Sequence, residues 1–477
     1  MTYDYDLAII GAGSAGMAAA EVAAHMRLRV LLVERDRVGG DCLWTGCVPS
    51  KTLIASSRVA HQVRCAEAWG IVPSTAPVDS RRVLARVHAV QQNLAATTDS
   101  PDRLRALGVD VRFAAAAFAD EHTLRLDAGR VTARRVLICT GSRPAVPGIP
   151  GLQEAGFLTP GDFFSLDGLP SSLLIVGGGP IAVELAQACA RLGADVTVLE
   201  QLPTILPREE PLLRARLRDV LEREGVCIVE SARVERAHRR GAVRVLTGTA
   251  DGEPAAWEAE AVLVAAGRRP NVEDLQLDAA GVQTRAAGIV VDDRLRTHAT
   301  SIYAAGDVAG RFPFTHSAVA EASIALRNMF YPLSKKAPQT VPWATFTDPE
   351  LTHAGLTSEE ARAQFGEGGT LVFRRPLTAS DRARADGAQQ GELVLISDRS
   401  HRLLGAHLLA PGAGEVAGCL GSLVRRRESM TPGLVDAIQA YPTYAFELMA
   451  LGGEATYQQL ESRFLRTVRR LNAAFGI

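Results

Sequence analysis

Two cysteines separated by four residues stand in Gly39-Gly40-Asp41-Cys42-Leu43-Trp44-Thr45-Gly46-Cys47-Val48-Pro49-Ser50-Lys51. Two thiols on a glycine-rich turn that leads into a helix can approach disulfide geometry. Pro49 suits a first helical turn, which puts Cys47 at the positive helix end and lowers its thiol pKa. The segment has three chemical readings: a redox-active pair, a structural disulfide, or half of a zinc site. Zinc needs further ligands, and no second closely spaced Cys or His pair follows. A structural disulfide is disfavoured in a reducing compartment. The redox pair is the preferred reading, and no resident metal is expected. Cys65, Cys139, Cys189, Cys227 and Cys419 lie in mostly apolar segments and read as small core residues.

The elements that must position this pair begin just upstream. Asp6 to Ile10 is an apolar run of strand length, followed by Gly11-Ala12-Gly13-Ser14-Ala15-Gly16. An Ala-rich helical stretch then runs to about His25, and a second strand, Val30 to Val33, ends in Glu34. Strand, glycine turn, helix, strand and acid make the dinucleotide-binding fingerprint in its required context. Gly11 permits the tight turn, Gly13 lets a pyrophosphate approach the backbone, and Gly16 lets helix and strand pack closely. The helix N-terminus attracts the phosphates, and Glu34 accepts hydrogen bonds from a ribose diol.

The unit recurs. Leu173 to Val176 leads into Gly177-Gly178-Gly179-Pro180-Ile181-Ala182, then a helix, then Val196 to Leu199 ending in Glu200. Gly11 to Glu34 and Gly177 to Glu200 both span 23 residues, so two dinucleotides are expected. Each unit has a closing strand, Val136 to Cys139 running into Thr140-Gly141 and Val262 to Ala265 running into Ala266-Gly267. Pro144, Pro147 and Pro150 mark a linker between the units. A strand from Ser301 to Ala304 ends in Ala305-Gly306-Asp307. Beyond Lys335-Lys336-Ala337-Pro338 come alternating strands, Leu393 to Ile396 and Leu403 to Leu409 among them, and a helical C-terminus. The segments are 1–150, 151–268, 269–338 and 339–477.

At 477 residues and about 150 per domain, the chain holds roughly three domains. It is 47% hydrophobic and 22% charged, which excludes a disordered or fibrous chain. The net charge of −1 leaves no footprint for nucleic acid or an anionic membrane. No apolar run reaches the ~18 residues of a spanning helix. Only Lys51, Lys335 and Lys336 are lysines among 52 basic residues, a bias we assign to genome composition. Met1 to Tyr5 has no signal-peptide character, so a cytoplasmic location is expected.

In these motifs the sequence resembles the class I FAD-dependent pyridine nucleotide–disulfide oxidoreductases, which include dihydrolipoamide dehydrogenase, glutathione reductase and mercuric reductase. The resemblance covers essentially the whole chain. It rests on the Gly11-Gly13-Gly16 turn, the Cys42/Cys47 centre with Pro49-Ser50-Lys51, Thr140-Gly141, the second fingerprint and Ala305-Gly306-Asp307. Thr347-Asp348-Pro349-Glu350 with Gly355-Leu356-Thr357 matches the dimerisation domain. It implies an α/β fold with two Rossmann-like domains, for FAD and for NAD(P)H, and a C-terminal α+β dimerisation domain. The segment 1–150 would bind FAD and carry the redox disulfide, 151–268 would bind NAD(P)H, 269–338 would complete the FAD domain, and 339–477 would dimerise.

The same resemblance implies individual roles. Glu34 would hold the adenosine ribose of FAD and Asp307 its ribitol. Cys47 would be the charge-transfer thiolate beside the flavin, and Cys42 would exchange with substrate. Lys51 would sit by the flavin ring paired with Glu184, either stabilising reduced flavin or bridging two helices. An acid such as Glu200 at its strand end accepts the NADH 2′-hydroxyl and repels the NADPH 2′-phosphate, so NADH is preferred. Arg208 follows closely, and Pro180 takes the family's gate position. A homodimer is implied, with Tyr441 of one subunit facing the cysteines of the other.

One motif departs from the family. Disulfide-reducing members carry His-Pro-Thr with a glutamate four residues after the proline; here Tyr441 takes the histidine position and Phe446 the glutamate position, with Glu447 next. No histidine follows His407. Tyrosine titrates near 10 against about 6.5 for histidine, and losing a positioned acid–base group costs about 10²- to 10⁴-fold. Tyr441 either moves a proton, donates a hydrogen bond, binds a metal–thiolate complex or packs. Mercuric reductases also place a tyrosine there, but they deliver mercury with adjacent cysteines at the chain end, and residues 469–477 hold none. The expected activity is mercuric-reductase-like electron transfer from NAD(P)H through FAD and the disulfide to a small-molecule, metal-ion or disulfide acceptor. The alternatives are dihydrolipoamide dehydrogenase and a redox-responsive binding protein without rapid turnover.

Overall fold

The computed structural model describes residues 2–460, 467–468 and 470–471, and most of the 469–477 end lies outside them. The chain divides into two units, Met1–Gln201 with Val229–Gln339, and Leu202–Ile228 with Thr340–Ile477. In the first, the apolar run becomes the strand Tyr5–Ile10, paired in parallel with Val30–Glu34 and Gly129–Ile138. Asp110–Phe113 lies outside Val30–Glu34, and Ile302–Ala304 pairs with Gly129–Ile138, giving five parallel strands.

Alternate side chains of a strand point to opposite faces. Leu7 and Ile9 accordingly pack against Ala15, Ala19, Ala20 and Ala23 of the helix Ser14–His25, while Ala8 and Ile10 face Phe118 and Leu124. The expected strand Val136 to Cys139 is the distal part of Gly129–Ile138, whose first half pairs antiparallel with Thr123–Leu126. In the second fingerprint, Ser172–Val176 lies between Asp195–Leu199 and Ala261–Val264, all parallel.

The second unit is an antiparallel five-stranded sheet in the order Trp343–Thr345, Glu350–Gly355, Leu403–Ala410, Glu392–Asp398, Thr370–Pro376. Its core includes Leu393, Leu395, Leu408, Leu420 and Leu448. The stretch Leu202–Ile228, placed by sequence within 151–268, groups with this unit through polar anchors. Trp343 Nε1 donates to Glu209 at 2.6 Å, Ser358 N and Oγ both donate to Glu210 at 2.8 Å, and Arg216 lies 2.5 Å from Glu392.

Three cysteines expected in the core lie at the surface. Cys139 and Cys189 are buried, but Cys65, Cys227 and Cys419 are exposed. A mostly apolar segment does not fix which face an individual residue takes, and on these elements the cysteine falls outside. Among the described residues no helix is long and apolar enough to cross a membrane.

Candidate redox site

The cysteines sit on two successive helices rather than on one open turn. Cys42 is in the short helix Gly40–Trp44, and Cys47 is the first residue of the long helix Cys47–Arg64. Gly39 at φ 101° and Gly40 at φ 55° make the bend before them. A Cβ at Gly40 would lie 2.7 Å from Gly13 Cα, so the redox loop and the first glycine turn meet along a glycine seam. Gly39 N donates to Ala12 O across the same seam at 2.9 Å.

Both cysteines are free thiols, Cys42 half-buried and Cys47 reaching solvent. A hydrogen bond from Cys42 is the largest influence lowering the Cys47 thiol, with help from the Thr315 hydroxyl and the Lys51 charge. Together they outweigh partial burial and bring it to about 6. The same bond, then burial, pushes Cys42 far up, against weaker contributions from Thr315 and Ser14. Thr315 Oγ1 lies 3.4 Å from Cys47 Sγ. The pair is therefore split into a ready thiolate at Cys47 and a protonated thiol at Cys42. Ser14 lies within the fingerprint itself, whereas Thr315 is 268 residues from Cys47, and no local pattern points to it.

One helical turn after Cys47, Lys51 Nζ reaches Glu184 Oε2 at 2.7 Å on the helix Pro180–Arg191. Glu184 is buried and Lys51 partly exposed. Pro180 opens that helix and is exposed.

The two glycine turns are congruent. Gly11 at φ 101° and Gly177 at φ 111° need glycine outright, because an added Cβ would fall 2.4 Å from Cys139 O and 2.6 Å from Ala265 O. At Gly16 it would fall 1.8 Å from Gly11 O. Gly13 and Gly179 differ: both have ordinary φ, and an added Cβ meets only Gly40 Cα at 3.9 Å or nothing. Protein packing does not require glycine there, but a diphosphate lying against the backbone does. Glu34 Oε2 accepts from Ala12 N at 2.7 Å, and Glu200 Oε2 accepts from Gly178 N at 2.6 Å, fastening each acid to its own turn.

Gly306 at φ 79° turns the chain into Asp307, and its N–H is held by buried Glu321 at 2.9 Å. Ser142 Oγ donates to Asp307 Oδ2 at 2.5 Å. Thr140 is tied to Asn271 in both directions, and Asn271 N bonds Gly141 O, so Thr140-Gly141 joins the closing strand to the returning chain.

In the C-terminal unit, Tyr441 is 63% exposed, and its hydroxyl donates to Asp381 at 2.7 Å. That bond to a carboxylate raises its pKa further above 10. Phe446 packs edge-on against Tyr441, while buried Glu447 is taken by Arg375 at 2.6 Å. Arg208 lies over the Trp343 ring at 4.8 Å. Among the described residues no three His, Cys, Asp or Glu are grouped to hold a metal ion.

The profile of the family described as pyridine nucleotide-disulphide oxidoreductase matches residues 5–322, and that of its dimerisation domain matches residues 341–450. The chain belongs to the pyridine nucleotide–disulphide oxidoreductases. It is 33% identical to a mercuric reductase of Bacillus cereus over 91% of this chain and 70% of that protein. It is 34% identical to dihydrolipoyl dehydrogenase 2 of Haloarcula marismortui over 88% and 90%. Among solved structures, the HOCl-induced flavoprotein disulfide reductase RclA of Escherichia coli superposes with a TM-score of 0.83 at 28% identity, over 94% of this chain and 99% of that one.

As a class I member of this family, the protein is an oxidoreductase that uses FAD and NAD(P)H. The fit is local and physical: the two turns offer the backbone approach that a diphosphate needs, and each carries a strand-end acid. The departure from the disulfide-reducing members is equally local. Position 441 holds an exposed tyrosine hydrogen-bonded to Asp381, and the nearest glutamate is committed to an arginine.

Proposed function

We propose that this oxidoreductase passes two electrons from NADH to a soft metal ion through the Cys42–Cys47 pair. The observation that carries the reading is the placement of the pair, with Cys42 on the helix Gly40–Trp44, Cys47 opening the helix Cys47–Arg64 and Thr315 Oγ1 3.4 Å from Cys47 Sγ. That environment lowers the Cys47 thiol and raises that of Cys42. Gly11, Gly13, Gly16, Glu34, Gly306 and Asp307, beside Thr140-Gly141, would hold FAD, which supplies the two-electron relay between the reduced nicotinamide and the sulfurs. Lys51, held by Glu184, places a positive charge one turn from Cys47. Gly177 and Gly179 would receive the nicotinamide cofactor, and Glu200 selects NADH by repelling a 2′-phosphate.

The second unit bears on the acceptor. Disulfide substrates need a positioned base, and Tyr441 is a poor one, with its proton directed at Asp381 and its pKa raised. A metal ion bound by thiolates needs no proton transfer from position 441. The mercuric reductases among the relatives and the copper(II) complex in which RclA has been solved support the same class. The dimerisation-domain match supports a homodimer, and in that homodimer Tyr441 would meet the partner's redox pair.

The test is steady-state NADH oxidation with mercuric ion, copper(II), lipoamide, quinones and oxidised glutathione. Turnover is expected with the metal ions, one mercuric ion or two copper(II) ions being reduced per NADH, and kcat/KM should favour NADH over NADPH. Efficient lipoamide turnover without metal turnover would replace this reading with dihydrolipoamide dehydrogenase, and slow turnover with every acceptor would leave a redox-responsive binding protein.

A further inference from the structure

Asp41, immediately before Cys42, is gripped from two sides. Within the loop its carboxylate accepts the Thr45 hydroxyl, and its carbonyl accepts Thr45 N at 2.9 Å. From outside, Arg268 Nη2 reaches Asp41 Oδ2 at 2.8 Å. The same guanidinium donates Nε to Ser142 Oγ at 2.7 Å and Nη2 to Ser142 O at 3.0 Å, and it lies 3.6 Å from Asp307 Oδ2. Arg268 is only 20% exposed. One cation thus stands between two carboxylates, one in the redox loop and one in the Gly306-Asp307 turn. The mechanism above uses neither Asp41 nor Arg268.

We propose that Asp41 and Arg268 are positioning residues, a charge-balanced clamp that orients the redox loop and sets how readily the Cys42–Cys47 pair is reduced. The proposal rests on the redox-pair reading given above. Two electrons break the sulfur–sulfur bond, Cys42 takes up one proton, and Cys47 stays a thiolate. The reduced pair therefore carries one more negative charge than the disulfide, and fixed charges nearby bias the equilibrium. Asp41→Asn keeps the shape and removes a negative charge, which favours the dithiol. Arg268→Gln removes the positive charge, which favours the disulfide. A clamp acting only as a brace would move both variants in the same direction, or neither.

The experiment equilibrates the FAD-loaded full-length protein with reduced and oxidised dithiothreitol at pH 7. The disulfide fraction is read as a mass shift after alkylation, and FAD content by absorbance. The dithiol–disulfide constant should move in opposite directions in the two variants, each by about tenfold for a unit charge within about 10 Å, which is about 30 mV for a two-electron couple. Arg268→Lys and Asp41→Glu keep the charge and should stay near wild type. They also carry the test, against Asp41→Asn, should Arg268→Gln lose FAD. Shifts of the same sign, or none, overturn the clamp while leaving the redox pair intact. A wild-type protein that never forms the Cys42–Cys47 disulfide overturns both.

Discussion

In the proposed relay the chemistry turns on Cys47, and its environment makes a signed prediction. Its lowered value, about 6, means the reduced protein holds a thiolate above that pH and loses it as pH falls through it. Alkylation of reduced protein by iodoacetamide should show its half-maximal rate near pH 6 rather than near the ~8.5 of an ordinary thiol. Thr315→Val removes a hydrogen bond and Lys51→Gln a cation, so each should move that midpoint upward, by up to about one unit. An unmoved midpoint in both variants would show that neither group supports the thiolate. The cysteine spacing and Pro49 already pointed to this helix end, and the family resemblance to the Lys51–Glu184 contact. Thr315 was invisible because its proximity to Cys47 exists only after folding. Tyr441 was legible as a departure, but its commitment to Asp381 came from the fold.

Among the elements, the two strand–turn–helix units were readable because each position obeys a local rule. Apolar runs gave strands, glycines gave turns, and the acid closed each unit. The exposure of Cys65, Cys227 and Cys419 was not legible, because the apolar character of a segment does not decide which face a single residue takes. The glycine turns also separate packing from ligand approach. Gly16→Ala drives a methyl group into Gly11 O, so a lower Tm is expected, by several degrees for about 2 kcal/mol of strain. Gly179→Ala meets open space, so Tm should hold within about 1 °C while KM for NADH rises about tenfold or more from lost charge-assisted bonds. Differential scanning fluorimetry beside NADH kinetics checks both. An unchanged KM in Gly179→Ala would remove the diphosphate from that turn.

For the whole molecule, the dimeric reading has a statistical signature. If Tyr441 binds the metal–thiolate complex at the partner's cysteines, Cys42→Ser and Tyr441→Ala homodimers each lack a working site. After subunit exchange, a hybrid regains one intact site, and a random mixture should recover about a quarter of wild-type activity. No recovery after verified exchange would place Tyr441 with its own subunit's cysteines, whereas a Tyr441→Ala homodimer that is active by itself would place Tyr441 outside the reaction. The overall architecture was legible from the duplicated fingerprints. The placement of Leu202–Ile228 was not, because Glu209, Glu210 and Arg216 find partners more than a hundred residues downstream. The glycine seam between Gly13 and Gly40 has an outcome of its own in heredity. Any codon change that adds a side chain at position 40 wedges apart the nucleotide turn and the sulfur loop together, so flavin retention and thiol reactivity should be lost as one inherited trait.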